Sequence, residues 1–143
     1  PNWFYRISKY TMPFLESQYV PKTHFIDELE AYPEDLENYV LIPLYSFAGA
    51  GVKFHVQKSD LEALPADRLH DYILQEKVTY EPVLEAPDGG VKCEIRMLML
   101  WKKEWERPKL VNNLARLSKG EMIGVRFNKD KEWVGASVGF FEK

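Results

Sequence analysis

Apolar residues run without a break from Tyr39 to Ile42, pass Pro43 and end at Leu44. From Val52 the pattern changes to alternation, with Val52, Phe54 and Val56 apolar and Lys53, His55 and Gln57 polar. A continuous run predicts a strand buried on both faces, and alternation predicts one buried on a single face. Between the two lies Ser46-Phe47-Ala48-Gly49-Ala50-Gly51, a glycine pair in a predicted interstrand loop. "YILQEKV" from Tyr72 to Val78, Val91 to Trp101 and Leu110 to Leu117 also read as strands, the last leaving helix open. Met122 to Phe141 predicts a hairpin turning at Asn128-Lys129-Asp130-Lys131. "TYEPVLEAPDGG" reads as a loop with a turn at Asp88-Gly89-Gly90.

Helix signals are fewer. Ser8 would cap a helix ending near Tyr19, before Pro21. Thr23 would cap a second one through Phe25, Ile26 and Leu29, with Asp27 and Glu28 in its first turn. Ser59 with Glu62 forms a capping box ahead of Leu61 and Leu64. Strands follow strands too closely for a doubly wound parallel sheet, so the order predicts α+β with mainly antiparallel sheets. It divides into a helical segment over 1–19, a subdomain over 20–78 and a β-rich subdomain over 79–143.

Composition narrows the function. The 143 residues are 45% hydrophobic and 29% charged, a globular balance. A net charge of −3 gives no general attraction to nucleic acid. No apolar stretch approaches membrane-spanning length and no secretory leader is visible, which predicts a cytoplasmic protein without a membrane partner. Cys93 is the lone cysteine and reads as a small buried hydrophobe. Three scattered histidines make no zinc spacing. The first residue is Pro1, so an upstream substrate-binding domain is an open expectation.

The glycine pair fits neither nucleotide fingerprint, because no lysine follows Gly51 directly and a strand, not a helix, comes next. Two readings stay open: an ordinary hairpin loop, or a loop whose backbone amides face an anion. "YVPKT", "ENYVLIPLYSFAGAGV", "YILQEKV" and "EIRMLML", in that order, resemble the ATP-grasp superfamily of carboxylate–amine ligases. The likeness covers the chain from about Ser8 onward. It implies two small α+β subdomains with ATP in the cleft between them. The reaction it implies is activation of a small carboxylate or peptide as an acyl-phosphate, followed by capture of an amine.

Carried over by position, the resemblance makes Lys9 a phosphate ligand. It makes Ser46, Phe47, Ala48, Gly49, Ala50 and Gly51 a mobile lid over the β- and γ-phosphates. Gln75, Glu76, Lys77 and Val78 become the hinge that pairs with adenine, and Glu81 or Glu85 a ribose partner. Arg96 and Arg116 would stabilise the transferred phosphoryl group, and Asn128 would be a Mg²⁺ ligand. Two positions depart from the pattern. Ile42 stands where a strand lysine usually precedes the proline, and the metal carboxylates are poorly represented. A lysine–phosphate hydrogen bond contributes roughly 1.5–3 kcal/mol, so its loss weakens binding roughly ten- to a hundredfold. Missing metal carboxylates harm phosphoryl transfer more, so binding is favoured over turnover.

Each position also has a plain structural reading. Lys9 would be a solvated helix lysine, and Glu76 and Lys77 would guard a strand edge. Glu94 and Arg96 share a strand face and would pair with neighbours across it, and Arg116 would be a hydrogen-bonding structural residue. Trp101, Trp105 and Trp133 would cover core or edges. Two rivals to the ligase therefore stand: a catalytically silent nucleotide-binding relative, and a protein-interaction domain in which the glycines only turn the chain.

Overall fold

The computed structural model describes residues 9–46 and 49–140. The chain is α+β, with two antiparallel sheets and little helix. It divides into two compact units, Pro1–Val78 and Thr79–Lys143.

The first unit is built on a three-stranded sheet of β1 (Thr23–Phe25), β2 (Tyr39–Pro43) and β3 (Tyr72–Glu76), with β3 in the middle. Both neighbours run antiparallel to it, Tyr39 facing Glu76 and Pro43 facing Tyr72. Ile73 and Leu74 point to opposite faces of this central strand and both are fully buried, so each face carries a core. On one, Leu41 and Leu74 pack with Ile26, Leu36, Val56 and Leu61. On the other, Val40, Ile42 and Ile73 pack with Phe25 and Leu44, and Tyr10, Met12, Val52 and Phe54 lie against them. Leu61 comes from α1 (Lys58–Glu62), a single five-residue helix.

The second unit is a four-stranded meander of β4 (Pro82–Ala86), β5 (Gly89–Leu100), β6 (Lys109–Ser118) and β7 (Gly135–Ser137). β4 reaches only as far as Lys92 on β5, and β7 only as far as Ala115 on β6. Beyond those points β5 and β6 continue as a two-stranded ribbon, with an extra residue, Val111, opposite the Leu98–Met99 step. The pairing register assigns the faces. Cys93, Ile95, Met97 and Met99 share one with Leu117, Ala115, Asn113 and Leu110, and Leu84 of β4 joins them through Val91. Lys92, Glu94, Arg96, Leu98 and Leu100 share the other with Ser118, Arg116, Leu114, Asn112 and Lys109. One face is therefore uncharged and the other is not.

Several elements differ from the sequence pattern. The helix expected at Thr23 is β1 followed by one 3-10 turn, Ile26–Glu28. Pairing with β3 prevails over the helical spacing, and Thr23 Oγ1 accepts a 2.8 Å bond from Gln75 rather than capping a helix. The N-terminal helix is a 3-10 segment, Lys9–Phe14, that includes Pro13; Ser8 lies outside the described residues. The alternating stretch from Val52 forms a single bridge, Lys53 to Leu41, and no strand. α1 opens two residues earlier than expected, with Gln57 in place of Ser59 at its N-cap and the Asp60 carboxylate accepting the Gln57 N–H at 2.9 Å. The loop at 79–90 contains β4, a hairpin strand turning at Pro87-Asp88. The hairpin expected over 122–141, of which Phe141 lies outside the described residues, does not form among them. Its turn is present, with the Lys131 N–H on Asn128 O at 3.2 Å, but its first arm is a 3-10 turn (Val125–Phe127) and β7 pairs with β6 instead.

Candidate functional site

The glycine loop leaves the end of β2 and is held at its root by a residue far away in sequence. Lys9 Nζ donates to Pro43 O at 2.8 Å, to Ser46 O at 3.2 Å and to Ser46 Oγ. Ser46 Oγ in turn donates to Pro43 O at 3.2 Å. Burial pushes the Lys9 ammonium below the ordinary lysine value. The plain reading of Lys9 as a solvated helix lysine is therefore replaced by a clamp on the loop. Beyond the clamp, Gly49 and Gly51 adopt φ of 76° and 73°, the left-handed region that glycine enters without steric cost. A Cβ on Gly51 would also sit 3.0 Å from the Pro43 ring, and the Val52 N–H closes a turn onto Gly49 O at 3.3 Å. Two glycines one residue apart are thus what folds this loop back over the strand it came from. Ala50 between them is exposed; Phe47 and Ala48 lie outside the described residues.

The proposed base edge sits at the other end of the same strand pair. Between Pro43–Tyr72 and Tyr39–Glu76 there are four residue steps, about 13 Å at strand rise. The resemblance implies that a nucleotide spans this separation. The chemistry of loop and edge is more occupied than it implies. Gln75 Nε2 donates to Thr23 Oγ1 and to Met12 Sδ at 3.7 Å. The N–H groups of Glu76 and Lys77 donate to Lys22 O and Asn38 O at 2.9 and 2.8 Å, and Lys77 Nζ donates to Glu37 O. Val78 is exposed at the end of the unit, and Glu81, in the second unit, is exposed just ahead of β4.

The track between loop and edge is filled on both faces. The Lys9–Phe14 segment starts at the loop root, through Lys9, and reaches Gln75 through Met12. Tyr10 lies between, its ring 5.0 Å from that of Phe25. Ile42 helps keep this face apolar, and Tyr10 and Met12 cover it.

In the second unit Arg116 and Arg96 converge on one carboxylate. Arg116 Nε donates to Glu94 Oε1 at 2.9 Å and its Nη2 bonds the same oxygen, while Arg96 Nη2 lies 3.9 Å away. The pair sits half-exposed on the charged face, two guanidiniums about one carboxylate. Such a group can accept an external carboxylate or phosphate in place of Glu94. The resemblance marked both arginines; Glu94 appeared only as a strand neighbour, and its cross-strand register with Arg116 is what makes it the hub.

Asn128 is engaged differently from the expected metal ligand. Its carboxamide oxygen accepts from Ser118 Oγ, Lys119 N and Gly120 N at 3.0, 2.9 and 3.0 Å. Its amide donates to Met122 O and Gly124 O at 3.1 and 3.0 Å. Three donors on one oxygen leave no lone pair for a cation, so this side chain organises the loop from 118 to 128. Among the described residues no group of three or more His, Cys, Asp or Glu is placed to hold a metal ion. The ribbon tip holds features the pattern had assigned to core cover. Trp101 Nε1 donates to Trp105 O at 2.8 Å, and the Lys109 and Lys102 ammonium groups stand 4.6 and 5.2 Å from the Trp105 ring.

No helix among the described residues is long and apolar enough to cross a membrane. Comparison with protein-family models, curated proteins and solved structures yields no match.

Proposed function

We propose that the chain is the nucleotide-binding part of an ATP-grasp-like protein. In this reading the phosphates of ATP are held at the loop root by Lys9, Ser46 and the amides of the glycine turn. The carrying observation is the Lys9 clamp, a partly desolvated ammonium brought across 37 residues of chain to Ser46 at the base of two left-handed glycines. A phosphate oxygen is a stronger acceptor for that ammonium than the neutral Ser46 oxygens it now bonds. The base lies toward Gln75–Val78, and seating it there requires Tyr10 and Met12 to shift from the sheet. The Arg96–Glu94–Arg116 group supports recognition of an anionic substrate carboxylate. Engagement of Asn128 within its own loop favours binding over acyl-phosphate chemistry, with Mg²⁺ carried by the nucleotide's own phosphates. The setting is cytoplasmic, in keeping with a single unpaired cysteine.

Thermal melting with ATP tests this directly. ATP at a hundred times its dissociation constant adds about 2.7 kcal/mol to a folded binder, and the melting temperature of the first unit rises. Lys9→Met weakens the affinity roughly ten- to a hundredfold. An absent ATP shift, or one that Lys9→Met leaves intact, removes the reading.

A further inference from the structure

An open strand edge is a template for another strand, and sheets ordinarily blunt it. Most edges among the described residues are blunted here. β1 and β7 are three residues long, and Lys53 bridges to the outer side of β2 at Leu41. β4 starts at Pro82 and carries a register shift before Leu84. Beyond β7, β6 is interrupted by the extra Val111. Its Asn113 carboxamide also holds Gly139, accepting the N–H at 2.6 Å and donating to the carbonyl at 2.9 Å. β5 is different. Past Lys92 it runs on from Cys93 to Leu100 with β6 on one side. On the other side, among the described residues, it makes no backbone hydrogen bond. The extra residue lies in β6, so β5 keeps strict alternation and every second residue presents an N–H and a C=O outward.

We propose that this edge of β5 is a docking site on which an extended peptide segment adds as a further strand. The segment is apolar opposite Met97–Leu100 and acidic opposite Arg96, and it runs antiparallel, as every ladder in the chain does. Three observations select this occupant. The first is the row of unpaired backbone groups, which a strand satisfies and lipid hydrocarbon does not. The second is that the edge is apolar on both faces. Met97, Leu98, Met99 and Leu100 are 48, 40, 49 and 55% exposed. A layer packed on one face leaves the other in water, whereas a strand alongside offers side chains to both. The third is charge. Arg116 holds Glu94 closely through Nε and Nη2, while Arg96 stands 3.9 Å from the same carboxylate and is half exposed. Arg96 is thus a surplus cation on the edge strand, and opposite charges attract across a strand pair. The pairing rests on the open ladder alone. The acidic position deepens the reading of the Arg96–Glu94–Arg116 group as a carboxylate site, and rests on it.

A synthetic fluorescent peptide tests the proposal on the 143-residue chain without nucleotide. It carries valine and isoleucine at the positions facing Met97–Leu100, glutamate at the next, and lysines beyond both ends for solubility. The expected result is saturable binding by anisotropy, with amide exchange slowed at alternate residues between Cys93 and Leu100. Two versions N-methylated on alternate amides then part company: the one blocked on the side facing β5 no longer binds, and the other does. Exchanging the glutamate for lysine weakens binding by up to about fivefold, and Arg96→Glu reverses that preference. Absence of saturable binding, or equal binding of the two methylated peptides, overturns strand addition. Equal affinity of the glutamate and lysine peptides overturns the acidic assignment and the carboxylate reading of Arg96 with it. A chain that sediments as a dimer and loses peptide binding as it associates has closed β5 on its own copy, which also overturns the proposal. The melting response to ATP is independent of these outcomes.

Discussion

The two sheets of this chain solve the same problem to different degrees. In the first unit, three short strands are covered on both faces, and Ile73 and Leu74 of β3 have no solvent exposure. In the second, four longer strands carry a well-formed ladder, yet Ile95, Met97 and Met99 remain about half exposed. Backbone pairing is therefore not the measure of a finished core. Hydrogen-bonded ladders contribute modestly net, whereas burial of apolar area contributes most of the stability. The difference leaves the first unit with a closed core on each sheet face and the second with apolar side chains still in solvent.

Truncating a side chain in each unit sharpens the contrast most. Leu74→Ala opens a cavity between β2 and α1 and costs about 2–5 kcal/mol. Met97→Ala, at a half-exposed position, costs no more than about 1 kcal/mol in the monomer. Urea unfolding followed by amide exchange at β3 and β5 separates the two, and equal losses would erase the distinction.

The second effect lies within the open unit. Asn128→Ala leaves buried backbone groups of the 118–128 loop without partners and costs roughly 2–3 kcal/mol. Asn128→Asp replaces the two bonds to Met122 O and Gly124 O with repulsion and is also destabilising. A side chain serving as a metal ligand would behave oppositely, since a carboxylate strengthens a Mg²⁺ site. Melting of both variants with and without Mg²⁺ distinguishes the roles.

The smallest effect has one example in each unit. The Lys53 ammonium, followed by the Gln57 N–H, holds the Asp60 carboxyl below the usual carboxylate value. The Lys119 ammonium does the same for Asp88. A carboxylate with a depressed folded value contributes stability that is present above its unfolded value and lost as pH falls through the folded one. Asp60→Asn and Asp88→Asn are expected to lower stability at neutral pH and flatten the acid limb, each in its own unit. Both sites are exposed, so high salt shrinks the effect. An unchanged acid limb in either variant would mean the ion pair there contributes nothing.

What the sequence conveyed follows the same division. Strands whose own residues supply the burial or alternation, β2, β3, β5 and β6, were legible because the signal is local. β1, β4 and β7 are short, and a neighbour's ladder determines them; Thr23 carries a capping residue's identity yet bonds Gln75. At the site, residue types were readable and their engagement was not. The resemblance singled out Lys9, Arg96 and Arg116, but Pro43 O, Ser46 and Glu94, which hold them, become visible only through chain crossings and strand register. Asn128 was a reasonable oxygen ligand until its three donors were in view. The filled face above Ile42 is the clearest case. Ile42 keeps that face apolar, and Tyr10 and Met12, from a segment read as helix, supply the cover.

Amide hydrogen exchange of the wild-type chain with saturating ATP, compared with ATP-free protein, tests the nucleotide account at both of its ends at once. The account predicts slowed exchange at residues 49–52 and at Val78, together with faster exchange across Lys9–Phe14 as Tyr10 and Met12 leave the sheet. Exchange unchanged at the glycine turn, or slowed there while 75–78 and Lys9–Phe14 stay as they were, would contradict it.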